Sequence, residues 1–408
     1  MRTPIDPLHY ELGVFPLRLR ESFEPFRLPG FSIAAVAVLF AILAEAMAGS
    51  YEALLAVERA HMGPLELGAF LTLPAISGIA VTALFGRWHD EKARLWPLLI
   101  CLAAAVVGYG LAAIVTTPWI LMIVALILLG PAKAAYALLF AIAKGYLDGH
   151  GAVSESRGMA ALRMISSLSW AIGPAIGAGL ITAWHYEGVF LGAAGFAMTA
   201  LVAILAGRLR AAPTKMIDQN VVAPQGWWFL WPAVVALTLF NTAMFMGSNA
   251  LSIVTVNDLN GSETDVGLLF SLCAGLEVAV MGAYVIWPSK RASRAALALG
   301  FALFAAYFLA TVLLQNLSVL YWAQILRAIA IGIVSVIGML YVQEAMPQQP
   351  GAAAALFSNT VNAGWLLSGL GTGIWAHSFG YWSIFGLCGV LALVGAAIFA
   401  LPVTRPRG

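Results

Sequence analysis

The stretch that decides the fold runs from Arg163 to Gly179 and reads Arg163-Met-Ile-Ser-Ser-Leu-Ser-Trp170-Ala-Ile-Gly173-Pro174-Ala-Ile-Gly177-Ala-Gly179. It places one cation and a Gly-Pro pair inside an otherwise apolar segment. In hydrocarbon both are costly, because charge is penalised and proline frees a backbone carbonyl, so such a segment needs neighbouring helices to shelter it. The reading therefore points Arg163 into a protein interior or a wet cavity. Gly173, Gly177 and Gly179 let another helix come close.

The rest of the chain fits that setting. Of its 408 residues, 62% are hydrophobic and only 10% charged, far from the roughly 25% charged of an average soluble domain. The chain reads as a polytopic membrane protein. Cys101, Cys273 and Cys388 lie on separate apolar spans without pairing or ligand spacing, and core packing is their expected role. Residues 1–30 lack an apolar run followed by a small-residue cleavage site, so the span starting near Phe31 is expected to direct insertion itself.

Twelve apolar runs, each long enough to cross about 30 Å of hydrocarbon, fall near 31–55, 65–87, 95–116, 118–144, 159–183, 188–207, 228–252, 264–287, 294–314, 317–343, 350–376 and 380–402. A basic, proline-containing linker at 208–227 divides them. The expected domains are a cytoplasmic segment 1–30, a six-helix bundle 31–207, the cytoplasmic linker, a second bundle 228–402 and a cytoplasmic tail 403–408. With the N-terminus inside, 17 of the 21 lysines and arginines fall on cytoplasmic segments, which predicts that both termini are cytoplasmic.

The halves echo one another. Span two opens with Leu67-Gly68-Ala69-Phe70 and leads to Arg94; span eight opens with Val266-Gly267-Leu268-Leu269-Phe270 and leads to Arg294. Two related six-helix halves resemble the major facilitator plan, in which substrate binds near the midplane between them. The predicted fold class is thus an all-α membrane protein of twelve transmembrane helices in two pseudo-symmetric bundles.

Counting from span ends puts Glu45, Lys133, Glu277 and Arg327 near mid-bilayer, where two acids and two bases can neutralise one another. In the major facilitator plan spans one, four, seven and ten line the cavity, so Glu45, Lys133 and Arg327 face substrate and Glu277 stands one layer back. Glu52, seven residues after Glu45 and on the same helix face, is placed near the outer mouth, with solvated helix-end charge as the other reading of Glu52, Glu58 and Arg59. Asn241 and Asn249 of span seven, with Asn359, Asn362 and Trp365 of span eleven, suit a polyhydroxylated ligand: amides match hydroxyls in both directions and an indole covers an apolar sugar face. Intramembrane Asn and Ser also act as contacts between helices. His61, His89 and His377 show no metal spacing, and no metal or other cofactor is expected.

Two motifs bear on movement. The turn Gly86-Arg-Trp-His-Asp90-Glu-Lys-Ala-Arg94 keeps the Gly, Asp and Arg spacing of the major facilitator loop signature, with Glu91 and Ala93 departing from it. The resemblance implies that Asp90 and Arg94 latch the cytoplasmic helix ends. Gly173-Pro174 through Gly179 resembles the span-five antiporter signature, with Gly177-Ala178 in place of its closing Gly-Gly, which implies a gating role for Gly173 and Pro174.

From about residue 35 to 400 the chain resembles one family in particular, the bacterial sugar efflux transporters. The first half carries this in Gly68-Ala-Phe70, Ile76-Ser-Gly78 and Arg163 through Pro174. The second carries it in Ala274-Gly275-Leu276-Glu277, Gly332-Ile-Val, Gly338-Met339-Leu340, Gln343-Glu344, Met346-Pro347, Gly351-Ala-Ala and Leu356-Phe-Ser-Asn359. The resemblance implies proton-driven export of small sugars or glycosides across the inner membrane. Lys133 and Arg327 depart from the family's uncharged polar residues, which makes an acidic sugar or another sugar-like anion plausible. Glu45 or Glu277 is the expected proton carrier, influenced by Arg163, Lys133 and Arg327. The expected partners are the sugar-like substrate, protons and the bilayer; no nucleic acid is expected, and the chain is read as a monomer. The alternatives are a multidrug exporter of the same fold and a non-transporting membrane sensor. An enzyme is disfavoured, because no nucleophile-base pair, metal cluster or phosphate loop stands in the sequence.

Overall fold

The computed structural model describes residues 24–92, 94–148, 150–211, 230–286, 292–347 and 349–401. Most of the expected N-terminal segment, most of the 208–227 linker and the 403–408 tail lie outside the described residues, as does the side chain of Asp90.

Among the described residues there are twelve long helices and no strands. The first six are α1 Pro29–Gly49, α2 Pro64–Lys92, α3 Trp96–Ile114, α4 Pro118–Leu147, α5 152–183 and α6 186–206. The second six are α7 Trp231–Asn257, α8 Glu263–Ile286, α9 Arg294–Leu314, α10 Leu317–Ala345, α11 Pro350–Phe379 and α12 Ser383–Ala400. Helices α5 and α6 are separated only by Trp184 and His185, where the backbone leaves helical values and His185 takes φ 49°. The Gly173-Pro174 pair does not break α5; the turn comes ten residues later, where the chain reverses in two residues. Helix α11 carries Asn359, Thr360, Asn362, Ser368 and Thr372 among its apolar residues.

Proline marks the start of many spans, at α1, α2, α3, α4, α7 and α11. Its missing N–H costs nothing in a first helical turn. Inside α4 the same residue has another effect. Pro131 cannot donate to the preceding turn, and the five residues Ala125–Leu129 before Gly130 widen into a π turn. Such a turn rotates the residues beyond it relative to a regular helix, and here Lys133 lies just beyond. Helix α1 likewise ends at Gly49, and a short helical segment resumes at Glu52 and passes into a π turn at Leu55–Arg59.

Phe240, Phe301, Phe304, Tyr307, Phe308, Phe385 and Phe399 fill the second half, whereas the first packs many alanines against Tyr51, Phe70 and Phe190 in a cluster that also takes in Ile253 and Val266 of the second half. Arg294 staples the second half by donating to Tyr341 Oη at 3.0 Å, to the carbonyl of Ile398 at 2.7 Å and to that of Leu401 at 2.9 Å. It thereby satisfies carbonyls at the end of α12 that have no partner within the helix.

The halves meet at the end of the bundle where α1, α5, α7 and α11 finish. Thr182 and Thr264 pair through their hydroxyls at 3.0 Å, and Ser252 Oγ donates to the carbonyl of Ser50 at 3.2 Å. Gly267 of α8 lies against Tyr51 and the Pro174 carbonyl. On the other side of the seam α2 crosses α11 backbone to backbone: a Cβ on Gly68 would stand 2.7 Å from the Gly373 Cα, and one on Gly369 would stand 2.9 Å from the Thr72 nitrogen. Gly78 faces Trp365 nearer the middle of the bundle.

Candidate functional site

Two polar clusters occupy the middle of the molecule, one in each half. In the first, Lys133 Nζ lies 3.5 Å from Glu45 Oε1 and 3.9 Å from Glu52 Oε1. Glu45 stands on α1 and Glu52 on the short segment that follows its interruption, and Lys133 reaches in between them from α4. The side chains are 15% exposed for Lys133, 27% for Glu45 and 12% for Glu52. Glu52 is therefore an internal charge and not a solvated helix end. Tyr109 of α3 and Tyr136 of α4 line the cleft beside Glu45 and Lys133. From the opposite half the Trp365 ring covers the ammonium, its centroid 5.3 Å away, within the roughly 6 Å at which a cation is attracted to an aromatic face.

The second cluster surrounds Arg327. Its guanidinium donates to Gln324 Oε1 at 3.2 Å and to Ser248 Oγ of α7 at 2.6 Å. It lies over the rings of Phe270 and Tyr307 at 5.4 and 5.9 Å, and the residue is only 5% exposed. The acid expected to neutralise it, Glu277, is close enough to act on it electrostatically. Among the described residues, however, no carboxylate lies within 4.0 Å of Arg327. The expected symmetry of two acid-base pairs is thus half met: Lys133 holds two carboxylates and Arg327 holds neutral partners.

The clusters are related by the repeat. Lys133 and Arg327 stand on the fourth helix of their halves, Glu45 and Ser248 on the first. Tyr109 and Tyr307 each lie thirteen residues past the first residue of the third. Sequence reading missed Gln324, Tyr109, Tyr307 and Phe270. The one signal for the tyrosines was their matching register on spans three and nine.

The remaining expected residues fall around these clusters. Arg163 is exposed and lies within electrostatic reach of the Tyr136 hydroxyl. Asn249 donates weakly to Thr372 Oγ1 at 3.5 Å, tying α7 to α11. Asn241 is buried, gives an N–H to the Leu237 carbonyl at 2.8 Å and packs on Gly364, the behaviour of a contact between helices. Asn359 is exposed and Asn362 half-buried on the face of α11 leading to Trp365. Gly173 packs on Ala46 and Met47 of α1, while the Pro174 carbonyl meets Gly267, so the pair sits where α5 touches both halves. Arg94 is exposed at the opposite end. Among the described residues no group of three His, Cys, Asp or Glu is arranged to hold a metal.

Twelve spans in two halves, with charged clusters held between them, define a multi-pass membrane transporter. The family model of the Major Facilitator Superfamily matches residues 31–246 and again 226–408. A protein of Deinococcus radiodurans named as a sugar efflux transporter is 34% identical over 91% of this chain and 97% of its own length. Sugar efflux transporter A of Escherichia coli is 27% identical over 83% and 87%. Among solved structures, the nucleoside transporter NupG superposes with a TM-score of 0.74 at 14% identity, over 91% of this chain and all of that one. A bacterial homolog of the human lysosomal transporter Spinster gives 0.69 at 12%, over 93% and 96%. The chain belongs to the Major Facilitator Superfamily and, within it, to the sugar efflux transporter family. It is a transporter of small molecules and not an enzyme.

Proposed function

We propose that the chain exports small sugars or glycosides across the bacterial inner membrane in exchange for protons, by rocking of residues 31–207 against 228–402. The observation that supports this best is the Lys133 cluster. Two carboxylates share one ammonium, so the group carries an excess negative charge that a proton removes. The indole covering that ammonium belongs to the other half, so movement of the halves changes the surroundings of the charge. This gives proton binding and conformation a common physical basis. Glu45 and Glu52 are then the carriers on one side of the cleft and Glu277 on the other. Trp365, Asn249, Asn359 and Asn362 offer an apolar ring and amides to a sugar.

With both termini cytoplasmic, the joined ends of α1, α5, α7 and α11 face outward. The exposure of Tyr136, Arg163 and Asn359 nearer the other end then supports a cleft open to the cytoplasm, the state that loads substrate for export. Asp90 and Arg94 would latch that end when it closes.

Inverted membrane vesicles test this reading. Labelled lactose or glucose should accumulate when the lumen is acid and stop accumulating when an uncoupler collapses the gradient. Accumulation indifferent to the gradient would refute proton exchange. If Glu45→Gln, Glu52→Gln and Glu277→Gln each leave coupled uptake intact, the carriers are misassigned.

A further inference from the structure

We infer that the Arg327 cluster is an anion subsite and that the preferred substrate is a sugar bearing an acidic group, its carboxylate or phosphate seated on the Arg327 guanidinium. The inference rests on the proposed transport of sugars and narrows its substrate class.

A guanidinium withdrawn from water is costly to the fold unless an opposite charge or a full set of acceptors meets it. Arg327 has five N–H groups, and the structure gives it two neutral oxygen partners, Gln324 Oε1 and Ser248 Oγ. The other buried cation of the cleft is already taken, because Lys133 lies between Glu45 and Glu52. The Tyr307 hydroxyl in the same cluster is a second sign: Tyr307 is 1% exposed and, apart from the Gln324 side chain beside it, its oxygen meets no partner. A pocket in which no carboxylate touches a buried cation and a buried hydroxyl stands beside it is equipped for an oxyanion.

Geometry favours the same ligand. The guanidinium lies over the Phe270 and Tyr307 rings and gives hydrogen bonds to Gln324 and Ser248, and its remaining N–H groups match the oxygens of a carboxylate or phosphate. Ser248 and Asn249 sit on one turn of α7, and Asn249 reaches Thr372 of α11. An acidic group on Arg327 therefore leaves the rest of a sugar ring toward the α7–α11 seam and Trp365. Glu277 is near enough to act on Arg327 electrostatically but is not in contact with it, so among the described residues no carboxylate occupies the guanidinium directly. Repeat symmetry sharpens the contrast: where the first half places Glu45 opposite its base, the second places Ser248 and leaves the acid to be supplied by the ligand.

The purified full-length chain in detergent decides this by equilibrium dialysis with labelled glucuronate, glucose 6-phosphate, glucose and lactate. Binding of glucuronate or glucose 6-phosphate at least tenfold tighter than glucose is expected, and which of the two wins distinguishes carboxylate from phosphate. That preference should collapse to near unity in Arg327→Gln and persist in part in Arg327→Lys, with both variants checked for monodisperse elution. The wild-type preference alone is decisive should Arg327→Gln fail to fold. Equal binding of glucose and glucuronate overturns the anion subsite and leaves sugar transport standing. Lactate binding as tightly as glucuronate with no glucose binding keeps the anion subsite and overturns the sugar reading. Binding of none of the four overturns both.

Discussion

The crossing of α2 and α11 yields the sharpest prediction. A Cβ placed on Gly373 would stand 2.6 Å from the Gly68 Cα and 2.8 Å from the Pro64 carbonyl oxygen, against a comfortable carbon–carbon separation of about 3.5–4.0 Å. Both obstacles are backbone, so no side chain can swing aside, and Gly373→Ala must part the helices by about 1 Å. Overpacking of this kind costs about 1–3 kcal/mol, charged to the joined arrangement alone if the halves separate at this end in the other state. At about 1.4 kcal/mol per tenfold, the population with this end closed should fall by roughly 5- to 150-fold relative to its alternative. Cross-linking reads this directly. In a background with Cys101, Cys273 and Cys388 replaced, Thr182→Cys and Thr264→Cys should form a disulfide readily, since the native hydroxyls are 3.0 Å apart. Adding Gly373→Ala should lower the yield severalfold while the protein stays monodisperse. An unchanged yield would refute the argument that this crossing holds the closed end together.

Other outcomes stem from the clusters and the staple. Lys133→Met leaves Glu45 and Glu52 facing each other without a cation and should lower the thermal midpoint in detergent by an amount equivalent to about 2 kcal/mol, discounted from the 3–5 expected of a fully buried pair; adding Glu45→Gln should restore part of it. Trp365→Leu removes the ring over Lys133, worth about 0.5–2 kcal/mol, and should slow sugar uptake in vesicles more than Trp365→Phe does. Arg294→Ala strips three hydrogen bonds from the α9–α12 corner, so fluorescence-detected size exclusion should show a loss near 2 kcal/mol, with the relative affinities for different sugars unchanged.

Much of this was legible in the sequence, for identifiable reasons. Span count and lengths are set by hydropathy, and hydropathy placed the four charges of Glu45, Lys133, Glu277 and Arg327 at one depth. What depth cannot give is rotation. Lys133 finds Glu52 as well as Glu45 because α4 widens into a π turn ahead of Pro131 and α1 is interrupted before Glu52, and hydropathy registers neither irregularity. Arg327 and Glu277 act on one another without contact, and the guanidinium instead lies over Phe270 and Tyr307, residues that read in the sequence as ordinary core aromatics. The Gly173-Pro174 pair lies in a regular stretch of α5 packed on Ala46 and Met47, and the reversal falls ten residues later at Trp184–His185, where no proline or glycine marks it in the sequence.

The glycine crossing has one more consequence. A seam made by side chains leaves gaps that water threads, and a file of water conducts protons; a seam in which two main chains touch leaves no such path. If the chain exchanges its cargo for protons as proposed, any shunt wastes the gradient, so Gly68, Gly369 and Gly373 would set its leak as much as its shape, and bulkier residues there should appear first as uncoupled proton current.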